Sequence, residues 1–243
     1  MLKERIDVLL AKKGLAPSRE KAKILVMAGE IYAGNERITK PDRRIGNDVF
    51  LEVKRNSIPY VGYGGIKLEK AITTFSVDVK GKKTLDIGSS TGGFTDCLLK
   101  HGASIIYAVD TGTNQLHEHL RTNKKVVVKE NFNARYLSLE DIGEKVDIIT
   151  IDVSFISLRM ILPAAVPILE NNGKIISLVK PQFEVGRYDV GKGGIVKNTE
   201  KIIKAIENIK LCGRELGLKP VDEIEAPRGK ERKNREYFIL WEL

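Results

Sequence analysis

The chain has little cysteine, histidine and tryptophan and no long apolar run, and each shortage removes a class of explanation. Its two cysteines, Cys97 and Cys212, stand far apart in 243 residues, inside segments of helical pattern. Neither a disulfide framework nor a zinc site is expected, and both read as buried thiols. Of the three histidines, His117 and His119 sit two positions apart on a predicted helix and so point in different directions, while His101 closes a helix where it suits the dipole. No metal is expected. The one tryptophan, Trp241, falls in the last predicted strand as a core or edge residue. No apolar stretch approaches the roughly 20 residues of a membrane span, and Met1-Leu2-Lys3-Glu4-Arg5 runs into an amphipathic pattern with no cleavage site behind it. The expected compartment is the cytoplasm, without stable membrane association.

Positive charge is abundant. Forty-one Lys and Arg face 32 Asp and Glu, a net charge of +9, which favours a polyanionic partner. RNA, DNA and anionic membrane all satisfy that, as does a basic solvated surface. The length suits one large domain plus a small one, and the ordinary apolar fraction excludes disordered, collagenous and solenoid chains.

Residues Leu2 to Val53 read as two helices followed by short strands. Ile6, Leu9 and Leu10 form an apolar face before Gly14; Ser18 caps a second helix whose Ile24, Leu25 and Ala28 face inward until Gly29. Ile31-Tyr32-Ala33, a Gly34-Asn35 turn, Ile38 and Val49 to Val53 follow as hairpin strands. Lys12, Lys13, Arg19, Lys21 and Lys23 gather at the helix corner, with Arg37, Lys40, Arg43 and Arg44 on the turns, an uneven distribution that points to nucleic acid. Arg5-Ile6-Asp7-x-Leu9-Leu10, Ser18-Arg19-x-x-Ala22, Gly29-x-Ile31-x-x-Gly34 and Pro41 resemble the small α+β RNA-binding domain first described in ribosomal small-subunit protein four. The resemblance implies contact with structured RNA through phosphates and shape, with Arg5, Lys12, Lys13, Arg19, Lys21, Lys23, Arg37, Arg43 and Arg44 as the contacting residues.

Pro59, Gly62, Gly64 and Gly65 break regular structure, so the expected divisions are 1–54 for the RNA-binding domain, 55–65 for a linker and 66–243 for a second domain. Tyr60 and Tyr63 either pack the linker or stack on a base. Beyond it, strands are predicted at Thr84 to Ile87, Ile105 to Val109, Val126 to Lys129, Val146 to Asp152, Lys174 to Val179, Val221 to Ala226 and Arg235 to Trp241. Helical patterns lie at Phe94 to His101, Gln115 to Arg121, Leu158 to Leu169 and Thr199 to Leu216. This is an α/β, Rossmann-like plan: a mostly parallel seven-stranded sheet ending in an antiparallel hairpin across the charged turn from Pro227 to Asn234.

In such a sheet the ligand lies over the carboxyl ends of the strands at the topological switch point. Gly88 and Asp110 end the first two strands there, and Asp110 is placed to accept two ribose hydroxyls. That fits NAD and S-adenosylmethionine equally. A dinucleotide loop would read G-x-G-x-x-G; here Asp86 leads Gly88-Ser89-Ser90-Thr91-Gly92-Gly93-Phe94, and its charge suits a sulfonium with an amino-acid tail better than a diphosphate. The closing hairpin resembles the sheet of S-adenosylmethionine-dependent methyltransferases, in which Asn131 takes the adenine position and Phe132 can stack on it.

Four polar residues fall at element ends on the same side: Lys67, Asp152, Lys180 and Glu236. Separately each reads as a salt-bridge partner. Together they resemble the Lys-Asp-Lys-Glu tetrad of the FtsJ-type ribose 2'-O-methyltransferases. A ribose hydroxyl is a poor nucleophile, so methylating it requires alignment and removal of its proton. Lowering a lysine to a pKa of ~7.5 costs about 4 kcal/mol, so a neutral Lys180 is expected only within a coupled cluster, with Asp152 and Glu236 holding the ammonium groups.

Gly64-Gly65-Ile66-Lys67-Leu68, Asp110-x-Gly112-Thr113-Asn114-Gln115-Leu116, Asp152 to Leu158, Lys180-Pro181-Gln182-Phe183-Glu184 and Gly191 to Val196 look like the TlyA (haemolysin A) family over nearly the whole chain. Where many relatives have Ser-Arg before the glycine pair, this chain has Gly62-Tyr63. Membership implies S-adenosylmethionine-dependent methylation of a cytidine 2'-hydroxyl in ribosomal RNA, with ribosomal RNA or subunits as partner. The segment Phe183 to Gly194 reads either as an RNA-covering lid or as a plain surface loop. The family's older name leaves a haemolysin-like membrane-active protein as an alternative, and a ribosome-assembly RNA-binding factor without activity is another; the complete tetrad and glycine loop count against the second.

Overall fold

The computed structural model describes residues 3–27, 29–53, 59–228 and 234–243. The chain divides into two units, Met1–Pro59 and Tyr60–Leu243. Ala28, Lys54 at the end of the expected RNA-binding domain, residues 55–58 of the expected linker and residues 229–233 of the closing turn lie outside the described residues.

In the first unit, strand β1 (Lys3–Arg5) leads into α1 (Ile6–Lys12) and α2 (Arg19–Met27), followed by β2 (Ile31–Ala33), β3 (Glu36–Ile38), β4 (Arg44–Gly46) and β5 (Leu51–Val53). β2 pairs antiparallel with both β3 and β5, and β1 with β4, a two-stranded ribbon the sequence pattern did not reveal. Ser18 accepts from the Lys21 amide at 3.2 Å as a helix cap. The buried face of α2 is Ala22 and Val26; Leu25 is only partly buried and Ile24 is half-buried. Of the residues expected to face inward, Leu25 packs against this core from its edge, Ile24 does not join it, and Ala28 lies outside the described residues. Larger side chains rim the face while small Ala22 lets α1 approach.

The second unit opens with α3 (Tyr63–Thr74), then β6 (Lys83–Ile87), α4 (Gly93–Lys100), β7 (Ile105–Val109), α5 (Glu118–Arg121), β8 (Val126–Lys129), α6 (Leu139–Ile142) and β9 (Val146–Ile151). It continues through α7 (Leu162–Ala165), β10 (Leu169–Val179), α8 (Pro181–Glu184), α9 (Thr199–Glu215), β11 (Lys219–Glu225) and β12 (Tyr237–Glu242). The sheet order is β11-β12-β10-β9-β6-β7-β8. β6 pairs parallel with β7 and β9, while β12 runs antiparallel to β10 and β11. The seven-stranded sheet with an antiparallel end is the one anticipated.

Three expected elements differ. The helix predicted from Gln115 shrinks to the single turn of α5, because the Glu130 carboxylate accepts from the amides of Asn114, Gln115 and Leu116 and holds them in a loop. The helix predicted from Leu158 to Leu169 is broken into short turns around α7, where Pro163 and Pro167 each remove an amide donor. Gly64 and Gly65 do not interrupt structure; they lie in the first turn of α3. A Cβ on Gly65 would fall 2.3 Å from Tyr60 Cγ, and one on Gly93 would fall 3.0 Å from the Gly65 nitrogen. The glycines therefore let α3 and α4 touch backbone to backbone, and Tyr60 packs on that seam rather than waiting for a base.

Trp241 is fully buried, with its indole N–H donating to Ser177 at 2.8 Å. Cys97 is buried and Cys212 only half-buried. Among the described residues no helix is long and apolar enough to cross a membrane, and no cluster of His, Cys, Asp or Glu is arranged to hold a metal ion.

Candidate active site and cofactor cleft

The sheet reverses its direction of winding between β6 and β9, and the Gly88 turn lies there. Its amide donates to Val109 O at 2.8 Å, and the Asp152 amide donates to Ile87 O at 2.9 Å. Gly88 has φ +87°, and a Cβ on it would sit 2.3 Å from the Asp152 carbonyl oxygen. Only glycine meets both conditions, so the loop that starts the cleft is in backbone contact with Asp152, a candidate site residue. Ser90 follows with φ +47° and Gly92 with φ +99°, after which α4 begins.

Asp110 Oδ2 accepts from the Ser90 amide at 2.8 Å and Oδ1 from the Gly112 amide at 2.6 Å. Each oxygen keeps further lone-pair capacity, so the carboxylate can still accept hydroxyls. Asn131, exposed and at φ +54°, donates its amide to Gly112 O at 2.9 Å, and Phe132 donates to Asp110 O at 3.0 Å. Asp110, Asn131 and Phe132 therefore lie around the same mouth as Ser89, Ser90, Thr91 and Gly92.

Asp86 is placed differently from the expectation. It is fully buried beneath the loop, and its two oxygens accept from the Thr95 hydroxyl at 2.6 Å and the Thr150 hydroxyl at 3.1 Å. Burial pushes its carboxyl up to about 7, against the pull of those two hydroxyls. A group so enclosed stiffens the turn and cannot meet a sulfonium directly.

The four tetrad residues form two ion pairs. Lys67 Nζ lies 2.5 Å from Glu236 Oε2, and Lys180 Nζ lies 2.6 Å from Asp152 Oδ1, off the direction of a well-formed hydrogen bond. Lys180 also donates to Ser154 Oγ at 2.8 Å. Val179 pairs with Tyr237 across the ladder, so Lys180 and Glu236 stand just past the same rung and bring the pairs together. Tyr63, Lys67, Arg228, Asn234 and Glu236 wall a small concavity beside them.

The FtsJ-like methyltransferase family profile matches residues 60–243, and the S4 domain matches residues 4–48. The chain belongs to the FtsJ-like methyltransferase family. It is 53% identical over 197 residues to YqxC of Bacillus subtilis, named provisionally as an rRNA methyltransferase, a match that covers 81% of this chain and 70% of that protein. It is 40% identical over 238 residues to the 16S/23S rRNA (cytidine-2'-O)-methyltransferase TlyA of Mycobacterium tuberculosis, covering 98% of this chain and 88% of that one. A solved structure from Streptococcus thermophilus, named provisionally as a hemolysin, is 42% identical with a TM-score of 0.77 over 100% of this chain and 89% of that one. For the fold alone, a structure from Listeria monocytogenes, named provisionally as an S-adenosylmethionine-dependent methyltransferase, matches at 17% identity and a TM-score of 0.56, over 74% of this chain and 97% of that one.

Within the S4 unit many of the predicted RNA-contacting cations already have protein partners. Arg5 and Arg19 both hold the buried carboxylate of Asp7, with Nε–Oδ distances of 3.0 Å. Lys12 pairs with Glu4 at 2.6 Å, Lys23 with Glu20 at 2.7 Å, and Arg43 takes Glu36 bidentately at 2.7 Å. Lys13 donates to Val49 O and Arg37 to Gly29 O. Such exposed pairs exchange cheaply for a phosphate, whereas Arg5 and Arg19 also anchor α1 and α2.

Several residues gain a candidate role only from their contacts. Glu130 fixes the loop of residues 114–116 and is held by Arg121 at 2.6 Å. Burial opposes its ionisation, but Arg121 and the loop amides outweigh burial and keep its carboxyl below the usual range. Phe155, at φ +65° and 90% exposed, stands beside Phe183 with ring centroids 5.1 Å apart. Asn234 bonds Gly194 O at 2.7 Å and the Val196 amide at 2.8 Å, pinning the glycine-rich loop next to Glu236. His117 and His119 converge, with Nδ1 atoms 2.9 Å apart, contrary to the expected divergence; His117 caps α5 from an extended backbone instead of lying within the helix.

Proposed function

We propose that this protein transfers a methyl group from S-adenosylmethionine to a cytidine ribose 2'-hydroxyl in ribosomal RNA. The observation that carries the reading is the placement of the Lys180–Asp152 pair in backbone contact with the glycine loop: Gly88 abuts Asp152, and Lys180 bridges Asp152 and Ser154. The donor set suits the cofactor: Asp110 has acceptor capacity for ribose hydroxyls, Asn131 and Phe132 flank an adenine position, and Ser89 to Gly93 line the amino-acid end. S-adenosylmethionine supplies the electrophilic methyl group when bound.

The chain's own residues do the rest. Lys180 Nζ, in its neutral amine form, orients the 2'-hydroxyl and takes its proton as the methyl group passes from sulfur to oxygen, and Asp152 holds the ammonium group that results. Lys67 and Glu236 make a second charge pair that keeps the acceptor side of the cleft polar and limits wrong placement of the ribose. The S4 unit supplies RNA affinity through phosphates, so binding falls steeply with salt. A splayed-out nucleotide in folded RNA is the fitting substrate, and exposed Phe155 beside half-buried Phe183 offers it an apolar surface.

The test measures transfer of labelled methyl to ribosomal subunits by wild-type protein and by Lys180→Ala, with cofactor affinity followed by calorimetry. The reading expects loss of transfer with cofactor affinity retained. Near-normal turnover by a folded Lys180→Ala would sink the role given to Lys180, and lysis of liposomes by RNA-free protein would favour the membrane-active reading that the hemolysin name suggests.

A further inference from the structure

The segment between β9 and α7 carries Asp152 and Ser154, and it is held at both ends by one short element. Lys180, at the start of α8, grips its beginning through Asp152 and Ser154. Four residues on, Glu184 at the end of α8 grips the other end: Oε2 accepts from the Ser157 hydroxyl at 2.5 Å and Oε1 from the Leu158 amide at 2.8 Å. Lys180 is the extended residue that caps α8 and Glu184 is the last residue of α8, so this single helical turn sets the two grips along the same loop. Between them Phe155 adopts φ +65°, a conformation that a bulky residue keeps only where its surroundings impose it. Burial raises the Glu184 carboxyl above the usual range while Ser157 and Leu158 pull it down, so both oxygens depend on these two donors.

We infer that Glu184 is a positioning residue for methyl transfer, fixing residues 152–157 from their far end so that Asp152 and Ser154 meet Lys180. The inference rests on the role given to Lys180 above. Glu184 acts through Ser157 and Leu158. Its loss releases one end of a strained loop, letting Asp152 drift from Lys180 while the glycine loop, held by Val109 and Asp110, keeps its shape.

The experiment compares Glu184→Ala, Glu184→Gln and Ser157→Ala in the full chain, reading single-turnover methyl transfer to ribosomal subunits and, separately, S-adenosylmethionine affinity. Misplacing a catalytic pair by about 1 Å costs on the order of 100-fold, so Glu184→Ala is expected to slow transfer by roughly 30-fold or more with cofactor affinity within about twofold. Glu184→Gln, which keeps an acceptor for the Leu158 amide and can donate to Ser157, stays within about threefold of wild type. Ser157→Ala, which removes one of the two bonds, slows transfer by about fivefold. A Glu184→Ala variant at the wild-type rate, or one losing cofactor affinity in parallel with rate, overturns the inference. If Glu184→Ala does not fold, Ser157→Ala decides: a slowed rate with unchanged cofactor affinity supports the inference, and a wild-type rate overturns it. A wild type that methylates no ribose sinks the functional reading instead, so the two failures are distinct.

Discussion

Replacing Gly88 by alanine probes the junction between the cofactor loop and the catalytic pair. The new methyl group would need φ +87° and would lie 2.3 Å from the Asp152 carbonyl oxygen and 2.9 Å from its carbon. The left-handed conformation costs about 1–2 kcal/mol and forcing an extra carbon into packed backbone about 1–3 kcal/mol more, for a total of about 2–5 kcal/mol. In a unit of about 180 residues each kcal/mol lowers the melting temperature by about 2–4 °C, so a fall of roughly 4–20 °C is expected. The strand end carrying Asp152 must also give way, and Asp152 is the partner of Lys180 at 2.6 Å; a displacement near 1 Å there lowers turnover by on the order of 100-fold. Gly81→Ala is the control. Gly81 has φ +73° with nothing within 4 Å, so it carries the conformational cost without the clash and leaves turnover intact. Scanning fluorimetry and single-turnover transfer read both effects. A Gly88→Ala protein with wild-type melting and turnover, or a Gly81→Ala protein equally impaired, would refute the reasoning.

Further outcomes follow from other parts of the molecule. Arg5 hydrogen bonds, reinforced by Arg19 against the cost of burial, hold Asp7 down at about 2. The resulting stability, about 2 kcal/mol, is present above the unfolded value near 3.9 and is lost as pH falls towards 2. Hydrogen exchange of the α1 amides should show that loss between pH 4 and 2 in wild type, and Asp7→Asn should already show it at neutral pH; identical profiles would count against the bridge. Glu130→Ala frees the loop at residues 114–116 and should raise the Michaelis constant for cofactor about tenfold or more with little change in kcat; a pure kcat effect would contradict the loop-holding role. Deleting residues before Pro59 should weaken ribosomal RNA binding far more than cofactor binding, and equal losses would contradict the division of labour.

The sheet was legible because its strands are short apolar runs, and the positions of Asp152, Lys180 and Glu236 because each flanks a strand end; Lys67, expected to open a helix, lies in the second turn of α3 instead. What could not be read was how backbone and side chains share space. Gly64 and Gly65 look like breakers in a sequence, and only their contact with Gly93 and Tyr60 shows that they belong to a helix. Asp86 looks like a ligand group until Thr95 and Thr150 are seen to enclose it. Glu130 lies in no motif, and Glu184 closes the Lys180 to Glu184 motif with no role attached to it; each matters through amides that are distant in sequence, and helical periodicity around Gln115 cannot register a carboxylate arriving from the end of β8. The basic cluster was visible as charge, but its internal pairing with Glu4, Asp7, Glu20 and Glu36 was not.

The most direct test of the central claim is to isolate ribosomal subunits from cells lacking the protein, incubate them with the purified chain and S-adenosylmethionine, and map the modified nucleotide. A new methyl group is expected on the 2'-oxygen of a cytidine ribose, present with wild type and absent with Lys180→Ala. A methyl group on a base, or no transfer to subunits or free ribosomal RNA from a folded, cofactor-binding protein, would contradict it.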